Sequence, residues 1–329
     1  MNTTGRYFRC TTFGESHGRA IGAVVDGCPA GIEFSEADVM PLMERRRPGK
    51  SPLSTSRSES DRVEILSGVF EGVTTGTPVA MIIRNENFRS GDYDELKDAF
   101  RPGHADYTYH MKYGFRDYRG GGRSSGRETA GRVMAGALAM KLLGLDGVSV
   151  SGKILEIHGE KNPDLFEEEI LSAKRSGDSV GGIVEITIKG CPAGLGDPVF
   201  GKLDASLAAA MMSIGAVKGV EIGDGFLSAG VFGSENNDCM DSSGFLSNHC
   251  GGILGGISNG SDIVFRIAVK PTPSIEEEQK TIDTLGSERI ISVGGRHDPC
   301  IVPRIVVVAE CMAALTVADA LLSQKISRI

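Results

Sequence analysis

The chain has 329 residues, a net charge of −8, seven cysteines and no tryptophan. That length buries a sizeable core, and the acidic balance argues against general nucleic-acid binding. An odd number of cysteines with no C-x-x-C pair reads as reduced thiols in the cytoplasm; no secretory signal opens the chain, and no apolar run reads as long enough to span a membrane.

Strands are expected at about 6–12, 21–26, 63–70, 78–83, 148–157, 181–189 and 263–269. Helices are expected at about 35–46, 125–143, 163–176, 202–213 and 304–323, the first kinked or shortened by Pro41. The last helix is the clearest, with Val306, Val307, Ala309, Ala313, Ala314, Val317, Ala318 and Leu321 on a broad small-and-apolar face. No Ser/Pro-rich tract, charge block or composition break marks a linker, so residues 1–329 are read as one interwoven domain.

The segment from Arg101 to Arg132 is poor in aliphatic residues and crowded with Arg101, Arg116, Arg119, Arg123, Arg127 and Arg132. Ser125-Gly126-Arg127-Glu128 fits the capping box S-x-x-E, with apolar residues following at helical spacing. A helix is therefore expected to begin near Ser125, approached through Gly120, Gly121 and Gly122. Free N–H groups at such a start make an anion site. Cations there oppose the helix dipole, so Arg119, Arg123 and Arg127 call for another reason, which a bound anion supplies. Two smaller islands set polar groups on glycine-flanked turns after strand-like runs: Gly14-Glu15-Ser16-His17-Gly18 and Gly294-Gly295-Arg296-His297-Asp298-Pro299. Each alone reads as an ordinary turn.

Together the islands resemble the chorismate synthase family. GESHG at 14–18, RPGHADYTYHMKYGFRDYRGGGRSSGRET at 101–129 and GRHDP at 295–299 carry the likeness. RRRPG at 45–49, GDGF at 223–226, SNHCGGILGGISNG at 247–260 and KPTPSI at 270–275 extend it from Arg6 to about Leu322. The resemblance implies an α+β fold, a β-α-β sandwich with helices layered between antiparallel sheets. It implies the 1,4-anti elimination of phosphate from 5-enolpyruvylshikimate 3-phosphate to give chorismate, with reduced FMN required, no net redox change, and a homotetrameric assembly.

The residues carried over by the likeness suit a substrate bearing a phosphate and two carboxylates, since arginine stays charged and grips such groups bidentately. Ser16, Arg46, Arg57, Arg101, Arg127 and Arg296 are expected around the substrate. Arg46 has a second explanation, because basic residues are favourable at the C-terminus of a helix. Pro52 stands where the family carries an arginine, and Arg57 is the expected substitute. His17 is assigned to protonating the departing phosphate, His104 to protonating or stabilising the reduced flavin, and Asp298 to the acid near flavin N5. Arg123, Ser124, Ser125, Gly215, Ala216, Gly255, Lys270, Pro271, Thr272, Pro273, Ser274 and Arg296 are expected at the flavin. His249, beside the glycine-rich run 251–256, is a weaker flavin candidate; His110, His158 and His297 read as ordinary. No His/Cys/carboxylate spacing matches a metal site, and no Rossmann G-x-G-x-x-G is present. Two other classes remain open: an NADPH-dependent flavin reductase, which needs neither the arginine crowd nor His17, and a non-catalytic FMN- or phosphate-binding module, which needs no histidines on separate turns.

Overall fold

The structure is a computed structural model that describes residues 1–47, 61–85, 96–294 and 298–327. Two antiparallel sheets enclose a layer of helices, as expected. The first sheet holds β1 (Thr3–Thr4), β2 (Arg9–Gly14), β3 (Ala20–Asp26), β4 (Val63–Ser67) and β5 (Val79–Arg84), in the order β1-β2-β3-β5-β4. The second holds β6 (Ser149–Ile157), β7 (Gly182–Lys189), β8 (Val217–Ile222) and β9 (Ile263–Val269), in the order β8-β9-β7-β6.

Period-two patterning explains the second sheet. Ile263, Phe265, Ile267 and Val269 of β9 are buried, as are Val184, Ile186 and Ile188 of β7. The register sets Phe265 opposite Ile186 and Ile267 opposite Val184. Intervening positions carry cross-strand charges, Lys153 with Glu185 at 2.9 Å and Arg266 with Glu185 at 3.2 Å.

The helices are α1 (Glu36–Arg46), α2 (Asp106–Tyr113), α3 (Thr129–Leu145), α4 (Phe166–Arg175), α5 (Leu203–Met212), the single turn α6 (Gly233–Asn236) and α7 (Val302–Ser327). α3 lies on β2 and β3, α7 lies on β6 and β7, and α3 packs on α7 between them. Length and hydropathy would let α7 cross a membrane, contrary to the reading of the sequence, yet 78% of its most apolar window is buried inside the protein. It is the core helix of the sandwich. Glu310 on α7 accepts both Arg45 guanidinium nitrogens, at 2.7 and 2.8 Å, and the Gly152 N–H at 2.7 Å. This buried acid ties the end of α1 to β6 and fixes where the next residue, Arg46, begins.

Several boundaries differ from expectation. α1 runs through Pro41 without a break. The first long strand starts at Arg9 because the N–H groups of Arg6, Tyr7 and Phe8 all donate to the Asp319 carboxylate, at 2.9, 2.6 and 2.9 Å. α2 went unpredicted because DYTYHMKY buries only Asp106 and shows no apolar stripe. β8 is interrupted by a bulge between Val217 and Gly219.

Candidate active site

A cavity of about 1140 Å³ opens between the first sheet, the helix layer and the 270–274 loop. Its wall includes Arg46, Arg101, His104, Arg123, Ser124, Ser125, Arg127, Gly215, Ala216, Lys270, Thr272, Pro273, Ser274 and Asp298. Ser16 and His17 are buried one layer behind. A Cβ added to Gly120, which does line the cavity, would stand 2.6 Å from His17 Cδ2 and 2.8 Å from Ser16 Oγ. Gly255 sits exposed in the turn between Ile253–Leu254 and Ile257–Ser258, away from this wall, and Pro271 contributes none of it. Arg57 and Arg296 lie outside the described residues.

The local structure at 119–129 differs from the capping-box reading. Gly120, Gly121 and Gly122 have φ of 60°, 81° and 53°, a left-handed run that only glycine adopts readily. A 3-10 turn at Gly126–Glu128 precedes the α-helix, which starts at Thr129. Ser125 Oγ accepts the Arg127 N–H at 3.3 Å, but Glu128 turns away to Thr12 Oγ1 at 2.7 Å and Arg132 at 2.8 Å. The tertiary partner Thr12 and the i+4 neighbour Arg132 therefore outcompete the reciprocal cap. Arg119 also departs from the expected crowd: it chelates Asp117 at 2.8 and 3.0 Å and is absent from the cavity wall. Arg123 reaches back to β2, donating to Thr12 Oγ1 at 2.7 Å and to the Gly14 carbonyl at 3.2 Å.

Two carboxylates that went unnoticed in the sequence organise the cations. Asp61 Oδ2 accepts from Arg46 Nη2 at 2.7 Å and Oδ1 from Arg127 Nη1 at 2.6 Å, all three side chains being buried. Burial pushes the Asp61 carboxyl up, but the two guanidiniums outweigh it and hold it at about 2. Burial pulls Arg46 down to about 10, opposed by Asp61. Arg46 Nε and Nη1 have no hydrogen-bond partner among the described residues, although the side chain is 1% exposed. Three unmatched N–H groups on a buried cation are costly, and an anion in the cavity is the natural acceptor.

Asp106 accepts Arg101 Nε at 2.7 Å and Nη2 at 3.0 Å, and its Oδ1 lies 2.9 Å from His104 Nδ1. Arg101 Nη2 also approaches Nδ1, at 3.1 Å. A bare Nδ1 lone pair facing the carboxylate would be repelled, so Nδ1 carries the proton and Nε2 the lone pair. Nε2 would lie 3.3 Å from a Cβ on Gly121. Burial pushes the His104 pKa below its usual value and the Arg101 charge adds to this, with Asp106 opposing. Burial raises the Asp106 carboxyl, yet His104 and Arg101 hold it well below the usual carboxylate range.

Arg304, also missed, pairs with Asp298 and donates through Nε to the Arg46 carbonyl at 2.8 Å. Its place in the first turn of α7 was a legible signal, because a cation there opposes the dipole just as Arg127 does. Ala216 holds φ of 74°, an uncommon value for a residue with a Cβ, and its carbonyl accepts the Lys270 N–H at 2.9 Å. Burial, then the Lys218 charge, pulls the Lys270 pKa down. His249 pairs with Asp224 at 2.7 Å and does not line the cavity. Among the described residues no His/Cys/Asp/Glu group is arranged for a metal, and all seven cysteines are free thiols.

The fold and the cavity define a mixed α+β protein whose central site is suited to a polyanionic small molecule beside a histidine. The family model described as chorismate synthase matches residues 8–322. A chorismate synthase of Syntrophus aciditrophicus is 53% identical over 347 aligned positions, covering 98% of each chain. One of Maridesulfovibrio salexigens is 54% identical over 344, again covering 98% of each. A crystal structure of chorismate synthase superposes with a TM-score of 0.75 at 33% identity, covering 98% of this chain and 94% of that one. The chain belongs to the chorismate synthase family and is a lyase of aromatic amino acid biosynthesis. The reductase and binding-module alternatives are not favoured.

Proposed function

We propose that the cavity takes 5-enolpyruvylshikimate 3-phosphate together with reduced FMN and releases chorismate and inorganic phosphate. The observation that carries this is the convergence of Arg46, Arg101, Arg127 and His104 on one cavity, with three N–H groups of buried Arg46 lacking a partner among the described residues. In the reaction the C3–O bond breaks, phosphate departs with its electron pair, and C6 loses a proton, so no oxidant is consumed.

The residues present fit a flavin as well as a substrate. Ser124, Ser125, Gly215, Ala216, Lys270, Thr272, Pro273 and Ser274 share the cavity wall with the arginines, and the strained backbone at Ala216 is of the kind found at ligand clamps. Arg123, Gly255, Pro271 and Arg296 complete the set proposed for FMN; Gly255 would have to reach it from beyond this wall. Reduced FMN, when bound, supplies electron density to assist C–O cleavage and recovers it.

The chain supplies charge, position and protons. Arg46, Arg101 and Arg127, with Arg57, Arg296 and Ser16, hold the phosphate and carboxylates in a shielded site where fixed cations offset desolvation. His17 serves the departing phosphate past Gly120, where no Cβ blocks the approach. His104 is neutral in the absence of ligand; an anion at Nε2 raises its pKa, so it takes up a proton as the ligands bind. Asp298, held by Arg304, is the acid that would help bound flavin take the C6 proton at N5. The whole chain acts as one catalytic domain, in the cytoplasm, as a homotetramer.

Anaerobic turnover of 5-enolpyruvylshikimate 3-phosphate with chemically reduced FMN tests this reading, followed by chorismate absorbance and phosphate release. Product is expected. Turnover with NADPH as sole reductant would add a flavin reductase activity, and no product in either assay would overturn the reading.

A further inference from the structure

Asp61 does more than neutralise charge. Its two carboxylate oxygens take one nitrogen each from two guanidiniums, Arg46 Nη2 at 2.7 Å and Arg127 Nη1 at 2.6 Å. It holds φ of 46°, in the left-handed region, and is 1% exposed. Arg127 is pinned a second time, by Asn85 Oδ1 at 3.1 Å. The Asn85 amide is itself oriented by donating to the Glu15 and Gly18 carbonyls, at 3.1 and 2.8 Å. Two buried guanidiniums repel each other at this range unless a carboxylate lies between them. One carboxylate between two cations leaves the trio with a single net positive charge, and with the Arg46 Nε and Nη1 donors unpartnered among the described residues.

We propose that Asp61 is a positioning residue that holds Arg46 and Arg127 at fixed separation and limits how tightly they grip the phosphoryl group, so that phosphate is oriented for departure yet still leaves. This rests on the proposed elimination for its catalytic part, but its binding part stands on geometry alone. Asp61→Asn keeps the shape and tolerates the left-handed backbone, while raising the net charge of the trio by one. Asp61→Glu keeps the charge but moves it by a methylene.

The probe is inorganic phosphate, measured by calorimetry on the full chain, alongside kcat and KM. For Asp61→Asn, phosphate is expected to bind about tenfold tighter with a steeper salt dependence, and kcat to fall at least about tenfold while KM does not rise. A merely structural role would weaken phosphate binding and lower kcat together, and that result overturns the proposal. If Asp61→Asn does not fold, Asp61→Glu decides: near-wild-type phosphate affinity with about tenfold lower kcat supports positioning, and unchanged kcat overturns it. A wild-type chain that fails to turn over while Asp61→Asn still binds phosphate more tightly would sink the elimination and leave Asp61's control of anion binding standing.

Discussion

Nδ1 of His104 lies 2.9 Å from Oδ1 of Asp106, and the same carboxylate chelates Arg101 at 2.7 and 3.0 Å. One acid thus fixes the tautomer of a histidine and the plane of an arginine on the same cavity wall. Neither could be oriented this way by the three-residue spacing between Arg101 and His104 alone.

Removing the Asp106 charge should therefore act on His104 in a definite direction. The carboxylate raises the imidazole pKa against burial, so Asp106→Asn should push it further down. The titration of the His104 ring proton, followed by NMR, is expected to move to lower pH. kcat is expected to fall roughly 10- to 100-fold, as for other outer partners of a functional histidine. An unmoved titration with intact fold would show that Asp106 does not govern the histidine.

The same histidine should shape acid stability. Its folded pKa lies below the ordinary value of 6.5, so the unfolded chain takes up the proton first as pH falls. Its contribution is present above pH 6.5 and is lost as pH drops through the folded value. Urea midpoints measured from pH 7.5 downward are expected to decline below about 6.5, and His104→Gln is expected to flatten that part of the curve. An equal slope in the variant would place the acid sensitivity elsewhere.

Gly120 separates His17 from the cavity. A Cβ there would come within 2.6 Å of His17 Cδ2 and 2.7 Å of Nε2, on a backbone with φ of 60°. Gly120→Ala should cost about 1–3 kcal/mol in stability and lower kcat about 100-fold by displacing the histidine. Gly144, near the end of α3, has open space around its Cα and an ordinary φ. Gly144→Ala should instead raise stability by a few tenths to about 1 kcal/mol and leave kcat unchanged. Thermal unfolding and turnover of the two variants separate the local clash from a general intolerance of added methyl groups.

The cation crowd, the glycine approach, His17 and His104 were legible in the sequence, because charged and titratable side chains in a segment poor in aliphatic residues have no packing reason to be there. The sequence did not show which cations face the cavity. Arg119 and Arg127 look alike in the letters, yet one chelates half-buried Asp117 and the other pairs with buried Asp61. Asp61 carried no local signal, since its partners lie 15 and 66 residues away. Asp106 carried a faint one, two positions after His104. Helix and strand periodicity succeeded where an apolar face was continuous, as in α7, and failed at α2 and β8, where the face is polar or broken by a bulge.

Arg46 is the most direct test of the anion reading. Its Nε and Nη1 donors lack partners among the described residues, so Arg46→Lys should lose directional donors while keeping a charge. kcat/KM for 5-enolpyruvylshikimate 3-phosphate is expected to drop at least about 100-fold, carried mainly by KM if the arginine grips ground state and transition state alike, and by kcat if it acts on the departing phosphate. FMN binding should hold to within about twofold, since Arg46 is not among the residues proposed for the flavin. Parallel loss of FMN would assign Arg46 to the flavin.

The helix layer that carries these arginines depends on one close approach. A Cβ on Gly136 of α3 would lie 2.2 Å from Cys311 Cβ and 2.7 Å from Cys311 Cα on α7. Backbone that near cannot swing aside as a side-chain tip would, so the helices must part. Gly136→Ala is expected to destabilise by about 2–3 kcal/mol despite the better helix propensity of alanine. Cys311→Ala keeps its own Cβ and should not rescue it. Cys311→Gly removes the nearer clashing atom but leaves the Cys311 Cα 2.7 Å away, so Gly136→Ala combined with Cys311→Gly should recover only part of the loss, further reduced by about 1 kcal/mol for glycine within α7. Because α3 follows directly from the Arg127 turn and α7 begins beside Arg304, parting the helices also separates those cations. Turnover should fall in Gly136→Ala even at temperatures where it remains folded, and be regained in part in the double variant. Simple additivity of the two single changes, measured by urea unfolding, would mean that the contact does not set the spacing of the layer.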